Sequence, residues 1–178
     1  MIYTMTEFDE SGESQASILC RSCGLCCTGK LFIWAKLRPA ELDAAEALGL
    51  TVFRSDPSQR GFSQPCPLWH GQCSIHNSPV YPHICRAYQC KLLKEVLAEK
   101  STLSSALKVV EQVNEMIDEL KQIMPVSSNR NFRENLVANI EHPAETTRQE
   151  EGYQEFLLKA DALLHFYDIY FGVTDLFE

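Results

Sequence analysis

Eight cysteines lie between positions 20 and 90 of this 178-residue chain, and no cysteine lies outside that segment. Thiolates are ligands that zinc and iron–sulfur clusters readily bind in proteins. Packing alone gives no reason for every cysteine to fall in one segment, so the sequence predicts a metal- or iron–sulfur-binding module. The predicted metal- and cofactor-binding residues are Cys20, Cys23, Cys26, Cys27, Cys66, Cys73, Cys85 and Cys90.

The first cysteines form the run C-x2-C-x2-C-C, from Cys20 to Cys27. Two intervening residues let the backbone fold back, so the first three thiolates can converge on one site, and Gly24 can take the positive φ that tight wrapping requires. Adjacent side chains point in different directions, so we expect Cys27 to serve a second site. Two successive x2 spacings also occur in bacterial ferredoxins and favour an iron–sulfur cluster over zinc.

The remaining cysteines follow at wider intervals that suit loops. Together the eight thiolates suffice for two tetrahedral ion sites, two iron–sulfur clusters, or one cluster and one ion. The spacing does not choose among these three arrangements. The later cysteines are Cys66, Cys73, Cys85 and Cys90.

Four motifs carry the cysteines: C-x2-C-x2-C-C from Cys20, Cys66-Pro-Leu, Cys73-Ser-Ile, and Pro82-x2-Cys85-Arg-x-Tyr-x-Cys90. This pattern resembles the YkgJ-type CxxCxxCC cysteine-cluster family, which is described as zinc- or iron-chelating. The resemblance covers residues 20–90 and implies a metal or cluster held by thiolates. It also links the chain to proteins labelled iron–sulfur oxidoreductases and to flagellin lysine N-methylases. The chain departs from the family pattern at His76, where Tyr is usual, and at Tyr81, where Arg is usual.

The N-terminal residues 1–15 are acidic and polar, and they lack the basic start and apolar run of a signal peptide. We therefore expect a cytoplasmic protein. Reducing compartments disfavour structural disulfides, so metal ligation is favoured over the disulfide framework that an even number of cysteines would otherwise suit.

Composition argues against two classes of partner. The chain has 16 Lys and Arg against 24 Asp and Glu, a formal net charge of -8, and it has no basic patch. Nucleic-acid binding requires a basic face, so we expect no nucleic-acid partner. No apolar run reaches the roughly 18 residues of a membrane span, so we expect no membrane association. The expected partner is a protein or a redox partner that the sequence does not identify.

Helix signals lie on both sides of the later cysteines. Pro39–Leu48 has Pro at its start, acidic residues in its first turn and Gly after its end, which predicts a helix. Apolar residues at steps of three and four predict further helices over Ser101–Met124, Asn131–Glu141 and Ala144–Phe171. The turn-forming segment Thr51–Pro65 is predicted to be a loop.

The expected fold class is mostly α. It comprises a loop-rich cysteine-cluster metal module followed by a C-terminal antiparallel helical hairpin, with at most a short strand near residues 31–34. Three segments are predicted: a flexible N-terminal segment over 1–19, the module over 20–90, and a helical segment over 91–178 that packs on the module. The three-four apolar repeat also suits intermolecular pairing, so the expected state is a monomer or a coiled-coil dimer.

Other residues of the module have weaker metal or catalytic signals. His70, His76 and His83 lie between the later cysteines, where imidazole can replace or supplement a thiolate. Arg86 can hold a loop carbonyl or balance thiolate charge. The segment Gly24–Lys30 matches the start of a P-loop, but Leu follows where Ser or Thr binds magnesium. No carboxylate pair lies near the cysteines, so no catalytic constellation is identified.

The sequence therefore predicts a cytosolic metal-binding protein whose eight cysteines ligate an iron–sulfur cluster or zinc, with redox activity as one outcome. Two alternatives stay open. One is a zinc-stabilised scaffold for a protein partner, and the other is a modifying enzyme related to lysine N-methylases. An iron–sulfur oxidoreductase is the enzyme class that the cysteines allow, although the sequence identifies no catalytic residues for it.

Overall fold

The computed structural model describes residues 13–125, 129–143 and 152–174. Most of these residues are helical, and strands form one small sheet, so the predicted mostly α class is confirmed. Within the described ranges, no helix combines the length and the apolar character that crossing a bilayer requires.

The main core lies between two long helices near the C-terminus. Helix α5 spans Leu103–Ile123, and the Thr102 hydroxyl caps it by accepting a hydrogen bond from the Ser105 N–H at 3.2 Å. Helix α7 spans Tyr153–Phe166, continues as a π-helical segment over Tyr167–Phe171, and packs against α5. The predicted apolar face of α5 is therefore buried. Its buried residues are Ala106, Val110, Val113, Ile117 and Leu120.

Two further helices complete the main core. Helix α1 spans Gln15–Cys23 and packs against α5 and against α4, which spans Lys91–Leu97. The boundary predicted between residues 19 and 20 falls inside α1, where Leu19 is 2% exposed and belongs to the main core. The part of the last predicted helix before Tyr153 extends over residues that the structure does not describe, apart from Gly152.

A small sheet corrects two expectations of the sequence. Strand β1 is Trp34–Lys36, which is slightly later than the predicted strand near 31–34. Strands β2, Val52–Phe53, and β3, Gly61–Ser63, form within the segment that was predicted to be a loop, so that prediction was wrong there. Both pairings are antiparallel in the order β1-β3-β2. Strands of two or three residues show no periodicity in the sequence, because cross-strand pairing rather than local pattern forms them.

A second, smaller core lies beneath this sheet. The predicted helix over Pro39–Leu48 is confirmed as a 3₁₀ turn over Pro39–Glu41 followed by α2, Leu42–Ala47. The second core consists of buried side chains from β3, from α2 and from the chain around them: Leu37, Leu42, Ala45, Leu50 and Phe62.

Helix α6, Phe132–Glu141, holds the chain that follows the first cysteines. Its N-cap Asn131 forms a reciprocal capping box with Glu134. The Asn131 side-chain amide also donates to the Gln64 carbonyl at 3.2 Å, and the Tyr167 hydroxyl donates to the Lys30 carbonyl at 2.8 Å. The segment after the first cysteines is thus fixed by hydrogen bonds from two helical elements.

Replacing Ile117 by Ala is expected to lower the free energy of unfolding by roughly 2 to 5 kcal/mol, because Ile117 is 0% exposed and its loss leaves a cavity in the main core. The matched control is Leu158→Ala on α7, where the side chain is 74% exposed and the expected change is within about 0.5 kcal/mol. Urea denaturation of the two variants measures the difference. Equal losses would contradict this assignment of the core.

Candidate metal centre

The first four cysteines lie at the end of α1 and in the turn that follows it. Cys20 and Cys23 are one helical turn apart on α1, whereas the sequence analysis expected the backbone to fold back between them. Gly24 ends the helix in the left-handed conformation, with a φ of +68°, which confirms the backbone role predicted for it. Cys26 and Cys27 lie in the turn itself.

The other four cysteines come from three separate parts of the chain. Cys66 and Cys73 lie in the connection between β3 and α3, which spans His83–Ala87. Cys85 lies within α3, and Cys90 is the N-cap of α4. Neither short helix was predicted.

Backbone hydrogen bonds bring the second set of cysteines to the first. The Cys66 N–H donates to the Cys27 carbonyl at 2.7 Å, and the Cys73 N–H donates to the Arg21 carbonyl at 3.3 Å. The Trp69 ring lies over Gly24, so closely that a Cβ atom at that position would collide with it. The 66–73 connection therefore packs directly on the turn that carries the first cysteines.

Interactions among the thiols, together with their packing on the main core, indicate a first group of four. Cys23 interacts electrostatically with Cys20 and Cys90. Cys26 interacts with all three, and also with Cys27, which follows it in the chain. All four side chains pack against the main core. These four cysteines are called the first thiol group below.

The other four cysteines form a second group beside the first. Cys27 interacts electrostatically with Cys66, Cys73 and Cys85, and Cys85 interacts with Cys66 and Cys73. Cys66 and Cys85 pack against the second core. These four are called the second thiol group. Cys20 also interacts with Cys27, Cys73 and Cys85 of the second thiol group, so the two groups are neighbours that interact with each other.

Burial and mutual repulsion disfavour the ionised thiols. Burial is the main cause, followed by interactions with other thiols, and it raises the pKa of Cys85 to about 12. The pKa of Cys23 is also raised to about 12, again chiefly by burial. The pKa values of Cys26 and Cys27 are raised for the same reasons. In the absence of a cation these four thiols are therefore protonated at neutral pH.

Three thiols accept backbone hydrogen bonds that lower their pKa values, whereas burial raises them. The Leu93 N–H donates to Cys90 Sγ at 3.4 Å, and backbone hydrogen bonds from Leu25 to Cys23 and from Leu68 to Cys66 lower the pKa values of those thiols, against burial. Such N–H donors stabilise a thiolate and tune the metal or cluster that it binds. The pairs are Leu25 with Cys23, Leu68 with Cys66, and Leu93 with Cys90.

The eight cysteines fit a thiophilic metal or cluster in their number and chemistry. Their sulfur atoms, however, are not arranged as a metal ion would require. Among the residues that the structure describes, no group of three or more His, Cys, Asp or Glu side chains has an arrangement that could hold a metal ion as it stands. Binding at either thiol group therefore requires the sulfur atoms to rearrange.

The histidines and Arg86 have other contacts. His76 Nδ1 lies 3.2 Å from the Asn77 side-chain oxygen, and the His83 backbone N–H donates to a Glu41 carboxylate oxygen at 2.6 Å. The Arg86 guanidinium donates to the Ser78 carbonyl at 3.2 Å, which confirms that it holds a loop carbonyl.

Two residues near the thiols were missed by the sequence analysis. Lys30 interacts electrostatically with Cys23, and its ammonium donates to the Asn114 side-chain oxygen at 2.6 Å. The Tyr81 hydroxyl donates to the Cys85 carbonyl at 3.2 Å. The sequence analysis named Lys30 only in the P-loop match and Tyr81 only as a departure from the family pattern, so it assigned neither residue to the thiols.

Comparison with known proteins found no matching family model, no matching curated protein and no matching solved structure. The resemblance to the YkgJ-type family therefore stays a prediction that rests on the cysteine motifs.

Replacing Gly24 by Ala is expected to destabilise the protein more than replacing Gly71 by Ala. Both residues have positive φ, of +68° and +80°, so each substitution costs about 1 to 2 kcal/mol of backbone strain. Only at Gly24 does the added Cβ also meet the Trp69 ring, which adds about 1 to 3 kcal/mol. Urea denaturation compares the two variants, and equal losses would contradict the packing of Trp69 on this turn.

The raised thiol pKa values predict alkaline instability of the protein in chelator and reductant. Between pH 9 and about 12 the folded thiols of Cys23 and Cys85 keep protons that the unfolded chain has lost, so the free energy of unfolding falls as pH rises. Below pH 9 this contribution is fully present. Urea denaturation at a series of pH values measures the slope, and Cys23→Ala with Cys85→Ala should make it shallower. An unchanged slope in that double variant would refute the assignment.

Proposed function

We propose that the protein binds metal at its two neighbouring thiol groups, and that the first thiol group binds an iron–sulfur cluster. The observation that carries this proposal is the division of the eight cysteines into two groups of four. Four thiolates are the ligand number of a tetrahedral zinc site and of the common iron–sulfur clusters. A chain with unrelated cysteines has no reason to bring all of them into two neighbouring sets.

The composition of the first thiol group supports the preference for a cluster. Three of its ligands, Cys20, Cys23 and Cys26, have the two successive x2 spacings of ferredoxins, and the fourth, Cys90, comes from a distant part of the chain. The Leu93 N–H donates to Cys90, as N–H groups do around clusters. When bound, such a cluster supplies one-electron redox chemistry.

Nearby positive charge also supports an anionic centre at the first thiol group. Four thiolates bring four negative charges, and a buried site needs compensating cations. Lys30 interacts with Cys23 and is held by its hydrogen bond to Asn114. The Lys30 ammonium therefore partly offsets the thiolate charge that metal binding creates.

The second thiol group also provides four thiolates for metal binding, but two of its members, Cys66 and Cys85, pack against the second core. Its members come from the turn after α1, from the 66–73 connection and from α3, and the Leu68 backbone group hydrogen-bonds to Cys66. Zinc would stabilise these short elements by linking them to one ion. Zinc at both groups, with no cluster, would correspond to the scaffold alternative in which the acidic helices contact a protein partner.

Anaerobic purification followed by elemental analysis and an absorption spectrum tests the proposal. Iron and sulfide with a brown colour are expected for the first thiol group. Zinc at both groups with no visible absorption would reject the cluster and favour the scaffold. Protein with no bound metal, which also takes up none on reconstitution with iron and sulfide or with zinc, would reject metal binding altogether.

Substitution of two adjacent cysteines tests the division into groups. Cys26→Ser is expected to abolish binding at the first thiol group and to leave the second loaded, whereas Cys27→Ser is expected to do the reverse. The two variants are matched, because the positions are neighbours in the same turn and the chemical change is identical. Metal content and spectra after anaerobic purification measure the result. Identical losses in both variants would contradict the division.

Cys90→Ser and Cys85→Ser provide the second pair, since these cysteines come from different elements. Cys90→Ser should reproduce the effect of Cys26→Ser, and Cys85→Ser should reproduce that of Cys27→Ser, because each pair belongs to one thiol group. If Cys90→Ser instead reproduced the effect of Cys27→Ser, the proposed division into two thiol groups would be wrong.

A further inference from the structure

A pocket of about 270 Å³ lies beside the second thiol group. It is formed by the end of β1, the 3₁₀ turn, the connection between β2 and β3, and the start of α3. The lining residues combine apolar side chains with several cations. They are Lys36, Leu37, Arg38, Pro39, Glu41, Pro57, Arg60, His83 and Ile84.

The apolar part of the pocket is continuous with the second core. Leu37 is 2% exposed and belongs to that core, and Ile84 packs against it. Pro39 and Pro57 add rigid apolar surface. The pocket therefore has a fixed apolar wall that suits the hydrocarbon part of a small molecule.

Among the described residues, the cations that line the pocket outnumber its carboxylates. In the described part of the chain, Lys36, Arg38 and Arg60 form no ion pair with a carboxylate, while Arg54 nearby is paired with two. The only carboxylate in the lining is Glu41, and both of its oxygens accept backbone hydrogen bonds, from the N–H of Arg38 at 2.9 Å and from that of His83 at 2.6 Å. The pocket thus has an excess of positive charge in a chain whose net charge is -8.

One nitrogen atom of the Arg60 guanidinium is buried without a hydrogen-bond partner among the described residues. The Arg60 carbonyl accepts a hydrogen bond from the Leu37 N–H at 3.0 Å, which fixes the residue against the edge of the pocket. The buried nitrogen is Nε. Asp56 interacts electrostatically with Arg60, and its Oδ1 atom accepts hydrogen bonds from the N–H and hydroxyl of Ser58. A buried guanidinium N–H without an acceptor is costly. An anion in the pocket, which Arg60 lines, would offset the charge of this guanidinium.

We propose that this pocket binds a small organic carboxylate, held at its charged end by Arg60, Arg38 and Lys36 and at its apolar end by Leu37 and Ile84. Arginine is the side chain whose planar fork matches a carboxylate. The apolar wall selects a carboxylate with a short hydrocarbon body over an inorganic anion. The volume limits the ligand to a small molecule.

The bound carboxylate would lie next to the second thiol group. His83 and Ile84 line the pocket, and Cys85 follows them on α3. Glu41, which also lines the pocket, interacts electrostatically with Cys85. The inference does not rest on metal binding, because none of the lining residues is a cysteine.

A calorimetric titration of the full-length protein with butyrate tests whether the pocket binds a carboxylate. Butyrate is expected to bind with saturation, and n-butylamine, which has the same hydrocarbon body and the opposite charge, is expected not to bind. Inorganic phosphate is expected to bind more weakly than butyrate, because it has no apolar part. Absence of saturable butyrate binding would overturn the proposal, as would binding of phosphate without binding of butyrate.

Two substitutions locate the binding. Arg60→Gln is expected to weaken butyrate binding at least about tenfold, because it removes a charge-assisted hydrogen bond. Arg54→Gln is the matched control: it makes the same change of charge at a residue that already pairs with Asp43 and Glu46 and does not line the pocket, so the affinity should stay within about twofold. Equal weakening in both variants would overturn the proposal.

A third variant covers the case in which Arg60→Gln fails to fold, as circular dichroism would reveal. Lys36 and Arg38 are exposed, so Lys36→Gln with Arg38→Gln should fold normally and should weaken butyrate binding at least about tenfold. Titration of the Cys27→Ser and Cys85→Ser variants separates this inference from the proposed function. Butyrate binding that persists in variants without metal supports the pocket alone, and its loss there contradicts the independence of the two sites.

Discussion

The hydrogen bond from the Cys66 N–H to the Cys27 carbonyl, 2.7 Å long, is the interaction on which the arrangement of the thiols depends. It joins the turn after α1, which packs on the main core, to the chain that leaves β3 and the second core. The hydrogen bond from the Cys73 N–H to the Arg21 carbonyl and the packing of the Trp69 ring over Gly24 reinforce the same connection. The closeness of the two thiol groups therefore follows from a backbone contact and requires no attraction between thiols, which repel one another when ionised.

The long helices could be predicted because their signals are local. The face of α5 repeats at steps of three and four over 21 residues, and its cap and stop lie in the adjacent sequence. The sheet could not be predicted, since β2 has two residues and β3 has three. Phe62 illustrates the difference: it is 1% exposed because α2 and the neighbouring strand cover it, and nothing in its immediate sequence indicates that burial.

The cysteines of the candidate site could be listed from the sequence, but their grouping in space could not be predicted. The spacing marks the run from Cys20 to Cys27, and the divergence of adjacent side chains predicts a separate place for Cys27. The spacing did not assign Cys90 to the first thiol group, since that assignment depends on α4 packing against α1. Lys30 and the pocket beside α3 were also beyond sequence reasoning, because they arise where separate elements meet.

The buried surroundings of the cysteines favour the neutral thiol when no cation is bound, and they would favour the thiolate when a cation is bound. Burial raises the pKa values of the thiols, which keeps them neutral and lets them pack against apolar residues as small hydrophobic groups. The same low dielectric strengthens the attraction between a thiolate and a bound cation. The backbone donors at Cys23, Cys66 and Cys90 favour the thiolate form in either state. On the proposed function, protonation and metal occupancy would therefore be linked, because a binding cation would displace protons that the folded protein otherwise retains on its thiols.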